Sequence, residues 1–139
     1  MISRRSSFAL AVGLAILAAG CRPSMAPPPA PIPVRGKVVF ANGQPLRGGV
    51  VTFNPVGETL DRRYQGWGFV KPDGSYEVVS VGSGVAPGAY KVTVGAKDEG
   101  ELRGSNARQI PKKYNSAETT PLSCEVSAEG VYVFDIRLN

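Results

Sequence analysis

The fold of this chain is decided by Gly66-Trp67-Gly68-Phe69-Val70-Lys71-Pro72-Asp73-Gly74-Ser75-Tyr76-Glu77-Val78-Val79-Ser80. Two β-type runs flank Pro72-Asp73-Gly74, a turn in which proline presets φ, aspartate accepts a hydrogen bond from the backbone ahead and glycine takes the left-handed position. The stretch predicts a β-hairpin. We expect Asp73 to be structural, with Tyr76 and Val78 pointing inward.

The orientation of the first run is ambiguous. Trp67 and Phe69 share one face, whereas Gly66, Gly68 and Val70 form an equally good inner set. Trp67 is therefore either a core residue or part of an outward apolar patch suited to a protein partner or a sugar ring.

The same alternation recurs along the chain, separated by Gly- and Pro-rich turns such as Asn42-Gly43. No segment shows a helical period. Seven strands are predicted, at residues 34–41, 49–55, 66–70, 75–80, 89–95, 122–126 and 131–138. This pattern predicts an all-β domain built as a two-sheet sandwich.

The amino-terminal residues have the features of a secretory signal. Arg4 and Arg5 supply the positive region, and residues 8–19 form an uncharged run. That run is shorter than the ~20 residues that span a bilayer as a helix. It ends in Leu17-Ala18-Ala19-Gly20-Cys21. Residues 1–20 are therefore expected to be removed by cleavage between Gly20 and Cys21.

This ending resembles the lipobox of bacterial lipoproteins, with Ala18 where leucine is commonest. The resemblance implies that Cys21 carries lipid and that the protein is anchored on the extracytoplasmic side of a membrane, since two or three acyl chains anchor stably. The alternative is plain secretion after the small-x-small site Ala18-x-Gly20, with an incidental cysteine.

The segment that follows, residues 21–33, is predicted to be a tether. Six of the twelve residues from Arg22 to Pro33 are proline, which removes hydrogen-bond donors and disfavours both helix and sheet. In polyproline II geometry it would reach up to ~35–40 Å. The domain itself is expected to cover residues 34–139.

Composition excludes several classes of protein. The 139 residues carry 16 Lys+Arg and 11 Asp+Glu, a net charge of +5 without a basic cluster, so no nucleic-acid partner is expected. Cys124 alternates with Leu122 and Val126, which favours a small buried hydrophobe over a reactive thiol. No cofactor or metal is predicted, because the chain has no histidine and no calcium loop.

A second resemblance covers most of residues 34–139. The ordered series Val34-x-Gly36-x-Val38, Asn42-Gly43-x-Pro45-Leu46, Val51-x-Phe53, Asp73-Gly74-x-Tyr76-x-Val78 and Pro87-Gly88-x-Tyr90-x-Val92 resembles carboxypeptidase regulatory-like, transthyretin-like domains. Ile110-Pro111-x-Lys113-Tyr114 is similar to short lipoproteins of planctomycete bacteria. The resemblance implies a seven-stranded Greek-key β-sandwich with no assigned activity.

An enzyme is not expected. The absence of histidine excludes Ser-His-Asp and Cys-His arrangements together. Transthyretin-like hydrolases that act on hydroxyisourate rely on histidine and a terminal Tyr-Arg-Gly-Ser motif, whereas this chain ends in Ile136-Arg137-Leu138-Asn139.

Two function classes stay open: a noncatalytic binding or scaffolding lipoprotein of the cell envelope, and an accessory subunit of an envelope hydrolase or transporter. The candidate partner contacts, with an envelope protein or a glycan, are Trp67, Lys112, Lys113 and Tyr114. The last three belong to residues 96–121, a long connection without strand pattern. We expect Ile110 to Tyr114 to dock on the sandwich edge, with the alternatives of a binding surface and an edge cover.

Overall fold

The computed structural model describes residue 20 and residues 30–57, 65–79, 84–96, 104–127 and 129–139. This part of the chain is mostly β, with two short 3₁₀ helices at Ala107–Gln109 and Lys112–Asn115. The strands, in chain order, are β1 (Val34–Phe40), β2 (Val50–Pro55), β3 (Gly66–Phe69), β4 (Ser75–Glu77), β5 (Gly88–Gly95), β6 (Ser123–Val126), β7 (Tyr132–Val133) and β8 (Ile136–Leu138).

The strands form two four-stranded sheets. In the first sheet β1 is central: it pairs antiparallel with β4 on one side and parallel with β7 and β8 on the other. The second sheet has the order β3-β2-β5-β6 and is antiparallel throughout. The two sheets share one core, so the predicted all-β sandwich is confirmed at this level.

The core is built by strict alternation along the strands. Buried side chains on β1, β2 and β5 are separated by residues that face outward. Their rings and branched side chains come from both sheets, and Phe53 packs against Tyr76, Tyr90 and Phe134 with ring centroids 6.1–6.4 Å apart. Tyr76 and Val78 are 2% and 3% exposed, as the hairpin pattern predicts.

The turn at Pro72-Asp73-Gly74 has the predicted chemistry. Asp73 Oδ1 accepts hydrogen bonds from the Ser75 N–H at 2.9 Å and from the Ser75 hydroxyl at 2.6 Å. These bonds lower the pKa of the Asp73 carboxyl. Gly74 has φ 86° and packs against the Val38 carbonyl, so both its conformation and its lack of a side chain are required. Asp73 is structural.

The final predicted run is divided into two strands at Phe134-Asp135. Phe134 turns its carbonyl inward, where it lies over Gly36 and accepts a hydrogen bond from the Tyr76 hydroxyl. That carbonyl is then unavailable to β1, and the Lys37 N–H instead donates to Asp135 Oδ1 at 2.9 Å. β7 and β8 pair with β1 at the same residue offset, so the break does not shift the register. The Asp135 side chain takes the place of one backbone carbonyl as the acceptor for β1.

The folded domain starts earlier than residue 34. Ile32, placed in the tether by its sequence, is 6% exposed and belongs to the core. Its N–H and carbonyl exchange hydrogen bonds with Val85 at 2.7 and 2.9 Å. Pro33 also participates, because its carbonyl accepts the Tyr132 N–H at 2.9 Å. Proline removes donors but leaves acceptors, so the last tether residues can pair at an edge.

The long connection covers a strand edge. β6 pairs only with the first half of β5, residues Gly88 to Lys91. Beyond that point Val92 donates to the Leu122 carbonyl at 3.0 Å, and the Val92 carbonyl accepts the Thr120 hydroxyl at 2.7 Å. Thr120 is itself 3% exposed. The arrangement satisfies backbone groups that would otherwise be open, as an edge cover does.

Candidate binding surface

The aromatic side chains of β3 lie on the outer face of the second sheet. Trp67 is 40% exposed and Phe69 is 42% exposed, whereas Gly66, Gly68 and Val70 are buried. A side chain at Gly68 would collide with the Glu77 carbonyl, because β4 approaches β3 closely there. This close approach excludes the opposite orientation of β3. The open question about Trp67 is thereby decided in favour of the surface.

The two rings form a defined corner. Their centroids are 5.1 Å apart and their planes meet at 65°, an edge-to-face arrangement of the kind aromatic pairs prefer. Both residues sit on a strand whose backbone is paired with β2 from Val50 to Phe53. The Trp67 and Phe69 side chains therefore project from a hydrogen-bonded strand and not from a loop.

Neutral polar groups lie beside the rings. Thr52 pairs directly with Trp67 on one side and with Thr93 on the other. The next row holds Asn54, whose side-chain amide donates to the Lys91 carbonyl at 3.2 Å and to Thr93 Oγ1 at 3.3 Å. Gln65 Nε2 donates to Asn54 Oδ1 at 2.6 Å. These bonds hold the amide groups in place before any ligand arrives.

We call this surface the aromatic corner and define it by Trp67, Phe69, Thr52, Asn54 and Gln65. Aromatic rings can pack on a ligand, and amide and hydroxyl groups can form hydrogen bonds with it. None of these five side chains is ionisable, and one charged residue, Lys91, pairs with Asn54 from β5, so the surface is largely uncharged. Among the residues that the structure describes, no group of three or more His, Cys, Asp or Glu is placed to hold a metal ion.

The predicted contacts in the long connection do not form one surface. Lys112 and Lys113 are exposed, but Tyr114 is only 2% exposed and belongs to the core. The Tyr114 hydroxyl accepts the Asn139 N–H at 2.9 Å, while Lys113 Nζ lies 5.1 Å from the ring centroid. Tyr114 is therefore corrected from a candidate contact to a packing residue, because an aromatic ring so deeply buried has no face left for a partner.

The alternation predicts that Cys124 is buried, and the structure places its side chain in a half-buried position. It packs against the core from β6, and burial raises the pKa of its thiol to about 11. The thiol is consequently protonated at neutral pH and is a poor nucleophile. This environment agrees with a small hydrophobe.

Two polar residues, Asn106 and Asp135, have structural roles that no sequence pattern predicts. Asn106 is 8% exposed, accepts the Arg47 N–H at 2.7 Å and donates to the Pro45 carbonyl at 3.0 Å, so it joins two loops. Asp135 is exposed, and its carboxylate completes the hydrogen bonding of β1 by accepting the Lys37 N–H. All three hydrogen bonds link residues at least 59 positions apart, and no local pattern signals such partners.

The proposed anchor lies almost entirely outside the described residues. These omit Cys21, residues 1–19 and most of the tether, and Gly20 is described only as exposed. In the described part of the chain no helix is long and apolar enough to cross a bilayer.

Comparisons of the chain with models of protein families, with curated protein sequences and with solved structures give no match. The resemblance to transthyretin-like lipoproteins therefore stays a prediction from sequence motifs. The geometry of the surface has to carry any proposal about binding.

Proposed function

We propose that this protein is a noncatalytic lipoprotein of the cell envelope that binds a neutral glycan chain on the aromatic corner. In this proposal Cys21 carries the lipid, residues 22–31 form the tether, and the sandwich is of the transthyretin-like Greek-key type. The observation that carries the proposal is the exposed Trp67–Phe69 pair, held edge to face on a sheet whose inward positions are filled.

The ligand class follows from the chemistry of the aromatic corner. Sugar rings present apolar C–H faces that pack on aromatic rings, and hydroxyl groups that bond to amides and hydroxyls. The polar neighbours of Trp67 are Thr52, Asn54 and Gln65, all uncharged. A polyanion would instead call for a cluster of Arg and Lys.

The strand order supports the proposed topology. β2 and β5 are antiparallel neighbours although β3 and β4 lie between them in the chain. Such non-consecutive neighbours are expected of a Greek-key arrangement.

Binding is tested with purified protein and two uncharged probes, hexamers of glucose and of N-acetylglucosamine, followed by calorimetry. Trp67→Ala is expected to weaken binding by about tenfold, which corresponds to ~1.4 kcal/mol. The matched control is Val133→Ala, an exposed apolar residue on the other sheet, which should bind like the parent. Equal affinities for all three proteins, or no binding to either probe, would overturn the glycan assignment.

The anchor is tested separately by the mass of the amino-terminal peptide from native membranes. A diacylated or triacylated Cys21 is expected, and Cys21→Ala should release the protein from the membrane fraction. A free thiol on soluble native protein would contradict the proposal.

The second function class gives a different result in crosslinked membranes. An accessory subunit would be recovered with a hydrolase or transporter in fixed stoichiometry, and that outcome would replace the glycan proposal.

A further inference from the structure

The strand directions give the sandwich two distinct ends. We call the end at which β1 begins the tether end, because the chain enters the fold there at Ile32 and Pro33. β4 runs antiparallel to β1 and finishes at the tether end, while β7 runs parallel to β1 and starts there. The opposite end carries the turns at Asn42-Gly43 and Pro72-Asp73-Gly74.

An apolar row crosses the first sheet at the tether end. Arg35 pairs with Glu77 on β4 and with Val133 on β7. One row closer to the tether, the corresponding neighbours on the same face are Val79, Pro33 and Val131. They line a shallow groove of about 290 Å³.

This row is exposed although it is apolar. Val79 is 53% exposed and Val131 is 51% exposed, and Pro33 between them is also exposed. Val133, 57% exposed, extends the row along β7. Val56, 39% exposed, follows the end of β2 and so lies at the same end of the second sheet.

The opposite end is polar by contrast. Its two turns are built from Asn, Gly, Gln, Pro and Asp, all exposed apart from Gly74. None of the large exposed hydrophobic residues in the described ranges lies in those turns. On the first sheet the exposed valines Val79, Val131 and Val133 therefore lie toward the tether end, whereas Trp67 and Phe69 belong to the second sheet.

We infer that the tether end is a lipid-contacting end, with Pro33, Val79 and Val131 resting at the membrane interface. This inference depends on the proposed anchor at Cys21. Ten residues lie between Cys21 and Ile32, which makes eleven residue-to-residue steps, so the domain is confined within ~34 Å of the bilayer surface. Confinement by a short tether makes docking intramolecular, with an effective concentration in the millimolar range, and a small apolar row then suffices.

The charges next to the row fit the same placement. Arg35 and Glu77 lie directly across from each other in the following row, at the depth where headgroups would begin. The aromatic corner lies on the outer face of the other sheet, and the Trp67 carbonyl accepts the Val79 N–H at 3.0 Å, so the two surfaces adjoin where β3 meets β4.

The test measures depth in vesicles with the full lipidated protein. A bimane label is attached at Val131→Cys or at Asn42→Cys, each in a Cys124→Ala background, and vesicles of phosphatidylethanolamine and phosphatidylglycerol carry nitroxide lipids. The lipidated Cys21 has no free thiol to compete for label. Quenching at position 131 is expected to exceed that at position 42 by at least threefold. Equal quenching on protein that floats with the vesicles would overturn the inference.

A failure of the anchor gives a different signature. If the amino-terminal peptide carries no lipid and the protein does not float with vesicles, the anchor proposal fails and the inference fails with it. If the protein floats with vesicles but quenching is equal at positions 131 and 42, the anchor proposal stands and only the inference of a lipid-contacting end fails.

A second set of variants tests whether lipid or a protein partner covers the apolar row at the tether end. Val79→Ser combined with Val131→Ser should reduce quenching of a label at Glu129→Cys at least twofold without reducing flotation. Val39→Ser, on the same sheet but farther from the tether, is the matched control and should leave quenching unchanged. Protection of position 131 from aqueous iodide without quenching by nitroxide lipid would indicate a protein occupant and would overturn the inference.

Discussion

At the scale of single residues, Tyr76 connects the core to the break in the last strand. Its ring packs on Phe53, and its hydroxyl donates to the Phe134 carbonyl that has left the ladder of β1. Burial raises the pKa of Tyr76 far above its usual range, which is consistent with a hydroxyl that must stay protonated to donate.

Tyr76→Phe is expected to lower the free energy of unfolding by about 1–2 kcal/mol, because the partly buried Phe134 carbonyl loses the Tyr76 hydroxyl as a donor while the ring remains. Urea unfolding measures the loss. Lys113→Ala, at an exposed position, serves as a control that should change little. A Tyr76→Phe midpoint identical to that of the parent would contradict the role assigned to the hydroxyl.

Alkaline pH is predicted to destabilise the fold. Burial raises the pKa of Cys124 from 9.0 to about 11 and that of Tyr90 from 10.0 to about 12. Both groups are neutral when protonated, and both have a higher pKa in the folded state than in the unfolded state. Their contribution to the free energy of unfolding is therefore complete below pH 9 and is lost as the pH rises toward 12. Thermal unfolding across this range measures the slope.

The variant Cys124→Ala should make that decline shallower between pH 9 and 11, where the thiol ionises. Stability that rises across the same interval would show that the folded state favours the charged forms, which is the opposite of what burial implies.

At the scale of elements, Gly36 permits the close approach of β1 to the turned Phe134 carbonyl. A Cβ at this position would collide with that carbonyl and would also lie 3.1 Å from the Tyr76 ring. Neither backbone nor buried ring can move away freely, so the glycine is needed for its size and not for its φ.

Gly36→Ala is expected to cost about 1–3 kcal/mol by overpacking. Gly95→Ala is the matched control, since it also lies in a strand and its Cβ would meet nothing closer than Asn115 Oδ1 at 3.9 Å. Chemical denaturation of both variants distinguishes them, and equal stability would refute the packing argument.

The second 3₁₀ helix is predicted to stabilise the fold through Tyr114. Tyr114→Ala should cost about 3–5 kcal/mol, the range for truncating a buried aromatic residue, because the ring belongs to the core. Lys112→Ala and Lys113→Ala should each change stability by less than about 0.5 kcal/mol. Thermal melts of the three variants test this, and a harmless Tyr114→Ala would restore the binding interpretation of the segment.

At the scale of the whole molecule, the boundary between tether and domain falls at Ile32. A chain beginning at Ala30 should unfold like the full domain, whereas one beginning at Val34 loses the Ile32 side chain and two hydrogen bonds to Val85. The side chain alone is worth about 1.5–3 kcal/mol. Denaturant midpoints of the two chains measure the difference, and identical midpoints would place the boundary at Val34.

The core, the aromatic corner and the exposed apolar row occupy different parts of the sandwich. The core is shared by both sheets, the aromatic corner lies on the outer face of one sheet, and the exposed apolar row lies at the tether end of the other. Trp67→Ala should therefore change binding without changing the free energy of unfolding, because the Trp67 ring is not part of the buried core.

Local patterns in the sequence were enough to predict most of the strands, the turn at Pro72-Asp73-Gly74 and the inward residues within those strands, but not the division of the last strand at Phe134-Asp135. Period-two alternation is a property of the strand itself, so Tyr76, Val92 and Val94 are identifiable without knowing their neighbours. The same is true of Asp73, because its partner Ser75 is two residues away.

Only the tertiary structure decided the features that depend on distant partners. The orientation of Trp67 follows from the approach of β4 to Gly68, the burial of Tyr114 from the packing of the long connection, and the role of Asp135 from a bond to Lys37 across 98 positions. The sequence by itself determined which residues alternate. The two faces of β3 have equally plausible patterns. The face with Gly66 and Gly68 turns inward because the backbone of β4 leaves no room for a larger side chain at Gly68.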